Sequence, residues 1–213
     1  MSGTVSPQPL PRRFFERPVL EVAPALLGCE LEHAGVRLRL TEVEAYAGTL
    51  DPGSHAYRGR TPRTAVMFGP AGHLYLYFSY GMHWCVNLVC GTDGAASAVL
   101  LRAGEVVSGD DAAAQRRPGV PARDLARGPA RLTRVLALSG EQNGLDFCAT
   151  GSPVALTPAR RPVAVDSVLV GPRVGVSGAG GDGAAYPWRF WVDGERSVTP
   201  YRPGKPRRPH VPT

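Results

Sequence analysis

Two glutamates and a tyrosine alternate along one stretch of the chain, Glu42, Glu44 and Tyr46. They follow Val36, Leu38 and Leu40, which alternate with Arg37, Arg39 and Thr41. A strand repeats its facing every two residues, so the same phase carried forward turns both carboxylates and the phenol to the buried side. Buried carboxylates are costly unless they are paired or functional. The residue types are those that move protons and steady developing positive charge. A β-bulge near Thr41 would instead switch the phase and turn Val43 and Ala45 inward. The pattern leaves both arrangements open.

A second group of chemically capable residues lies between Asp51 and Gly72, where His55, Arg58, Arg60 and Arg63 sit among glycines and prolines. A loop of that length in a compact domain is usually functional. Arg58 and Arg63 have the guanidinium forks that grip phosphates. His55 can line a pocket or simply be a hydrogen-bonded surface histidine. Beyond this loop, Tyr80 falls at the tip of a predicted hairpin, where polar turn residues are the rule. An aromatic there can act as a wedge between base pairs or fold back into the core.

The elements that must hold these residues read as follows. Pro18 opens a helix through Leu27, with Leu20, Ala23 and Leu27 on one stripe and Gly28 ending it. Glu30–His33 and Val36–Tyr46 flank a turn at Ala34-Gly35. Residues 74–78 and 84–89 form the clearest hairpin, a strand follows at Ala98–Arg102, and an amphipathic helix starts at Pro129 with Leu132, Val135 and Leu136 inward. Strands at 168–170, 174–176 and 188–192 bracket a glycine-rich loop. The order lacks βαβ alternation, so the expected fold is one α+β domain on a mixed, mainly antiparallel sheet, with surrounding helices and a protruding hairpin. A disordered lead of about ten residues and a mobile Pro/Arg-rich tail from Pro200 are expected to flank it.

Composition narrows the function classes. A net charge of +6 carried almost wholly by arginine suits phosphate binding, although a merely basic surface gives the same count. Cys29, Cys85, Cys90 and Cys148 form no C-x-x-C pair and no cluster with histidine, so neither a metal nor a cofactor is expected. Without a long apolar run or a signal peptide, the expected location is the cytoplasm. The chain holds a single lysine, Lys205, in the tail. Schiff-base chemistry by a desolvated lysine is therefore not expected.

Taken in order, Glu42-Val43-Glu44-Ala45-Tyr46, His55, Arg58-Gly59-Arg60-Thr61-Pro62-Arg63, Met67-Phe68, Tyr75 to Asn87, Leu100-Leu101-Arg102-Ala103, Gly128 to Leu132 and Arg173 to Val176 resemble the alkyladenine (3-methyladenine) DNA glycosylase family. The likeness runs from about Phe14 to Val192. It implies that Glu44 is the general base holding the attacking water, with Arg102 positioning that water or the adjacent phosphate. Tyr46 and Tyr77 would sandwich a purine swung out of the duplex, His55 would complete the pocket, and Tyr80 would fill the gap left in the stack. Asn87 would crowd any purine bearing a 2-amino group. The substrate implied is double-stranded DNA with alkylated purines, 3-methyladenine and 7-methylguanine, with hypoxanthine and ethenoadenine open. With no internal lysine, water is the nucleophile, no strand cleavage is expected, and the protein is expected to act as a monomer without a membrane partner. A non-catalytic reader of damaged DNA is the alternative, and an RNA-binding protein a third reading. One geometric requirement follows: for Tyr77 and Asn87 to share a sheet face, the hairpin must have an odd number of loop residues or a bulge.

Overall fold

The computed structural model describes residues 8–79 and 81–205. Helices α1 (Arg12–Phe15) and α2 (Val19–Ala25) precede strands β1 (Glu30–His33), β2 (Val36–Tyr46), β3 (Leu74–Ser79), β4 (His83–Val89) and β5 (Ala98–Ser108). Helices α3 (Asp110–Arg116) and α4 (Pro129–Val135) follow, then β6 (Ala155–Thr157), β7 (Val168–Gly171) and β8 (Arg189–Val192). The strands build one antiparallel sheet in the order β3-β4-β5-β2-β1-β6, with β8 pairing both β2 and β7. This is the α+β domain expected from the absence of βαβ units.

Local sequence explains the main connections. Ala34 and Gly35 both take positive φ, 46° and 77°, the geometry that lets a two-residue turn follow the twist of β1 and β2. Pro129 occupies the first turn of α4, whose Leu132, Val135 and Leu136 are buried while Arg131 and Arg134 face water. In α2 the buried residues are Val19, Val22 and Ala23, followed by Leu26 and Leu27, and Leu20 is 41% exposed. Ala23 and Leu27 are therefore buried as expected, whereas Leu20 gives its place on the stripe to Val19. The 174–176 segment is a loop rather than a strand. Glycine and proline around it leave no continuous ladder to join.

Two bulges decide which way β2 faces. Leu40 pairs with Gly104 and Glu42 with Ala103, so Thr41 is the extra residue on β2. Val43 then pairs with Leu101, leaving Arg102 as the extra residue on β5. Val43 and Ala45 consequently join Leu38 and Leu40 in the main core, with Val22, Leu26, Leu88, Leu101, Leu132 and Leu136. Glu42 and Glu44 turn to the opposite face, yet both are 0% exposed, because loops and the C-terminal segment cover that face. The bulge reading of the sequence holds, and the carboxylates are buried nonetheless.

Candidate active site

The covered face of the sheet carries the polar residues in a row. Tyr75 pairs with Asn87, Asn87 with Leu100, Leu100 with Glu44, and Glu44 with Arg189, across β3, β4, β5, β2 and β8. Directly paired residues point to the same side, so register alone gathers these groups. The hairpin meets its parity requirement: three positions, 80–82, separate Ser79 from His83, and Tyr77 pairs with Cys85 beside the Tyr75–Asn87 pair. Tyr77 and Asn87 thus line one cleft. Tyr80, the expected wedge, lies outside the described residues.

The cleft has a volume of about 1170 Å³ and is walled by Tyr46, Tyr77, His55 and the Val174–Ala179 loop, with Glu44, Asn87, Leu100 and Arg102 at its base. That exceeds the roughly 300–1,000 Å³ of ordinary small-molecule sites and leaves room for a nucleotide together with flanking backbone. Arg58 and Arg63 lie on its exposed side.

Glu44 is fixed from three directions. Its Oε1 accepts from the Val174 amide at 2.7 Å and faces Arg102 Nη1 at 3.3 Å, while its Oε2 accepts from the Tyr46 hydroxyl at 2.9 Å. A carboxylate offers about four lone-pair positions, so among the described residues Oε2 keeps one acceptor position unfilled. Burial, then the neighbouring Glu44 charge, raises the Tyr46 phenol well above its ordinary pKa, which keeps it a donor. Burial on its own would lower the pKa of Arg102, but Glu44 and Glu42 outweigh it and hold the guanidinium charged.

Behind Tyr46 stands Arg173. Its guanidinium lies 4.5 Å from the centre of the Tyr46 ring and grips Asp51 through two hydrogen bonds of 2.6 and 2.7 Å. It also donates to the carbonyls of Ala45 and Gly180. One buried side chain therefore ties β2, the loop after it and the glycine-rich loop together. Gly53 and Gly180 permit the contact: a Cβ on Gly53 would strike the Arg173 guanidinium, and one on Gly180 would strike the Gly53 backbone.

His55 sets its ring edge-on to Tyr77, with centroids 4.6 Å apart, and its Nδ1 lies 3.3 Å from the Tyr75 hydroxyl. Desolvation of the packed part of the ring, then the charge of Arg63, lowers its pKa to about 4. The ring is neutral near pH 7 and presents one donor and one acceptor. Arg63 sits 5.5 Å from the centre of the Tyr77 ring. Asn87 is buried, and its Nδ2 donates to the Tyr75 carbonyl at 3.0 Å, which fixes its orientation at the base of the cleft.

Sequence reasoning placed Glu44, Tyr46, His55, Tyr77, Asn87, Arg102, Arg58 and Arg63, and the structure brings all of them to the cleft. It gave no role to Asp51, Arg173, Val174 or Thr199. Asp51 and Arg173 each stand beside glycine or proline in an otherwise loop-like stretch, a faint cue to a buried pair. Arg173 and Val174 also fall in a block that carries the family resemblance, whereas nothing local marks Thr199. No three His, Cys, Asp or Glu side chains gather as a metal site among the described residues. Nor is any helix of the described residues long and apolar enough to cross a membrane.

Comparison with known proteins adds independent information. The family model described as Methylpurine-DNA glycosylase (MPG) matches residues 13–196. A protein from Streptomyces avermitilis is 54% identical over 206 residues, covering 94% of this chain and 95% of its own. One from Frankia casuarinae is 53% identical over 204 residues, covering 92% and 93%. One from Burkholderia cenocepacia is 47% identical over 203 residues, covering 93% and 96%. All three are provisionally named 3-methyladenine DNA glycosylase.

Proposed function

The chain belongs to the methylpurine-DNA glycosylase family, and from that premise we propose that it is a monofunctional DNA glycosylase that swings alkylated purines out of the duplex and hydrolyses their bond to the sugar. Its substrate is double-stranded DNA, and its place is in base-excision repair. The observation that carries the reading is a carboxylate, Glu44, wholly buried at the base of a tyrosine-walled cleft, held by two hydrogen bonds and an ion pair, with one acceptor position left open among the described residues.

The chemistry follows from those contacts. A stacked base shields its sugar carbon, so it must leave the helix at a cost of about a few kcal/mol. Stacking on Tyr46 and Tyr77 offsets much of this, at roughly 1–3 kcal/mol per aromatic–base contact. A water held by Glu44 Oε2 attacks C1′ as the bond to the purine nitrogen breaks. The bond pair leaves with the purine and neutralises the alkylated ring, and the proton of the water passes to Glu44. Arg102 stays charged and fixes the Glu44 carboxylate, which also steadies the positive charge developing on the sugar.

Gly204 lines the cleft, so Lys205 stands next to it in sequence, but its side chain is exposed rather than desolvated. An exposed amine is a poor Schiff-base nucleophile, and the product is an intact abasic site. Incubation with dimethyl-sulfate-treated duplex DNA tests the whole proposal. The supernatant should contain 3-methyladenine and 7-methylguanine, and the strand should break only on later alkali treatment. Binding without release of any base would leave only a reader of damaged DNA.

A further inference from the structure

Glu42 is the buried carboxylate that the proposed hydrolysis does not use. It is 0% exposed, and its Oε1 accepts from Arg102 Nε, Arg189 Nε and Thr199 Oγ1, each at 2.8 Å. Its Oε2 accepts from the Thr199 amide at 2.7 Å. Arg102 completes a bridge, with Nε on Glu42 and Nη1 3.3 Å from Glu44. The Thr199 hydroxyl joins the two ends, donating to Glu42 and accepting from Arg102 Nη2 at 3.2 Å. Arg189 Nη2 closes the ring on the Thr199 carbonyl at 2.6 Å.

Two carboxylates and two guanidiniums therefore balance in one buried cluster, and one threonine of the C-terminal segment hydrogen-bonds to Glu42, Arg102 and Arg189. The same segment continues past the site: Gly175 donates to the Arg202 carbonyl, and Gly204 lines the cleft. Thr199 lies beyond the blocks that carry the family likeness. From this arrangement we propose that Thr199, acting through Glu42 and Arg102, is a positioning residue for Glu44, so that the C-terminal segment is part of the catalytic machinery. The assignment rests on Glu44 being the base.

The physical case is one of orientation. Arg102 has several donors and can turn toward either carboxylate or toward the cleft. Glu42 fixes its Nε, and the Thr199 hydroxyl fixes Nη2, which leaves Nη1 aimed at Glu44. Removing the hydroxyl takes away the acceptor of Arg102 Nη2, while Glu42 Oε1 keeps its two guanidinium donors. The guanidinium then swings, and Glu44 loses the fixed counter-charge that holds it toward the sugar.

Thr199→Val keeps the shape and deletes the hydroxyl, and Thr199→Ser restores it. Single-turnover release of 7-methylguanine is measured beside binding to a duplex carrying a stable abasic-site analogue. The Val variant should lose about tenfold or more in release rate, in keeping with the loss of a hydrogen bond to a charged group. Its affinity should stay within about twofold of the unchanged protein, while the Ser variant recovers most of the rate. An unchanged rate in the Val variant overturns the assignment. So does a parallel loss of rate and affinity that serine does not rescue. If Thr199→Val fails to melt cooperatively, Thr199→Cys, which keeps a weak donor, carries the same comparison. An unsubstituted protein that releases no base refutes the glycosylase reading itself, a separate failure from that of the positioning role.

Discussion

Glu44 and Asn87 sit two strands apart on one face of the sheet, each paired across to the same residue, Leu100. Strands lie about 4.8 Å apart, so the two side chains rise roughly 10 Å from one another. On the proposed reading a purine lies across that span, its glycosidic end toward Glu44 and its far edge toward Asn87. Shortening the residue at the far edge should relax the fit. Asn87→Ala is expected to raise release of guanine-type bases relative to 3-methyladenine by roughly tenfold. Quantifying both released bases from one methylated DNA sample checks this, and an unchanged ratio would remove Asn87 from the selection of substrates.

Glu44→Gln keeps the shape while deleting the charge and turning one of the two acceptor oxygens into a donor. The variant should bind damaged duplex DNA as tightly as the parent, and its release rate should fall by roughly 100- to 10,000-fold, the usual worth of a general base. Titration of a lesion-bearing duplex together with single-turnover kinetics separates the two quantities. Full activity in this variant would send the search for a base elsewhere.

Asp51 and Arg173 form a pair whose side chains are both 0% exposed. Asp51→Ala strands the guanidinium in the interior, and breaking such a pair costs about 3–5 kcal/mol. The denaturant midpoint should drop accordingly. Because Arg173 also backs Tyr46, the milder Arg173→Lys, which cannot hold Asp51 with two prongs, should weaken lesion binding. Equal stability of Asp51→Ala and the parent in urea would show that the pair is dispensable.

His55 gives a sign that can be tested with pH. Its pKa falls from 6.5 to about 4 on folding, through desolvation first and the Arg63 charge second. Between those values the unfolded chain binds more protons, so the contribution to stability is complete above pH 6.5. It is lost as the pH falls through about 4. An NMR titration of the His55 ring should show a midpoint well below 6, and Arg63→Gln should move that midpoint upward. A midpoint near 6.5 would mean that the ring is hydrated and does not complete the pocket wall.

Arg58 lines the cleft with an exposed side chain and is a candidate phosphate contact. Arg58→Ala should weaken binding to damaged and undamaged duplex by similar factors. It should also reduce the slope of log affinity against log salt by about 0.9, the value for one phosphate. A slope identical to that of the parent would place Arg58 off the DNA.

Much of this site was readable before any coordinates. Ordered blocks such as Glu42 to Tyr46 and Tyr75 to Asn87 carry the family resemblance, and the residues it points to within them line one cleft. Strand periodicity gave β1, β2 and the β3–β4 hairpin, and its parity required the odd loop that β3 and β4 have. The amphipathic stripe of α4 was equally plain, since turn and packing preferences act over a few residues. The facing of Glu42 and Glu44 was not readable in the same way. It depended on bulges at Thr41 and Arg102, which arise only when β2 and β5 are laid side by side. Nor could sequence pair Asp51 with Arg173 or bring Thr199 to Glu42, contacts that span 122 and 157 positions. Local rules choose residue types and elements; burial and charge pairing between distant segments choose which of two carboxylates meets the cleft and which one braces it from behind.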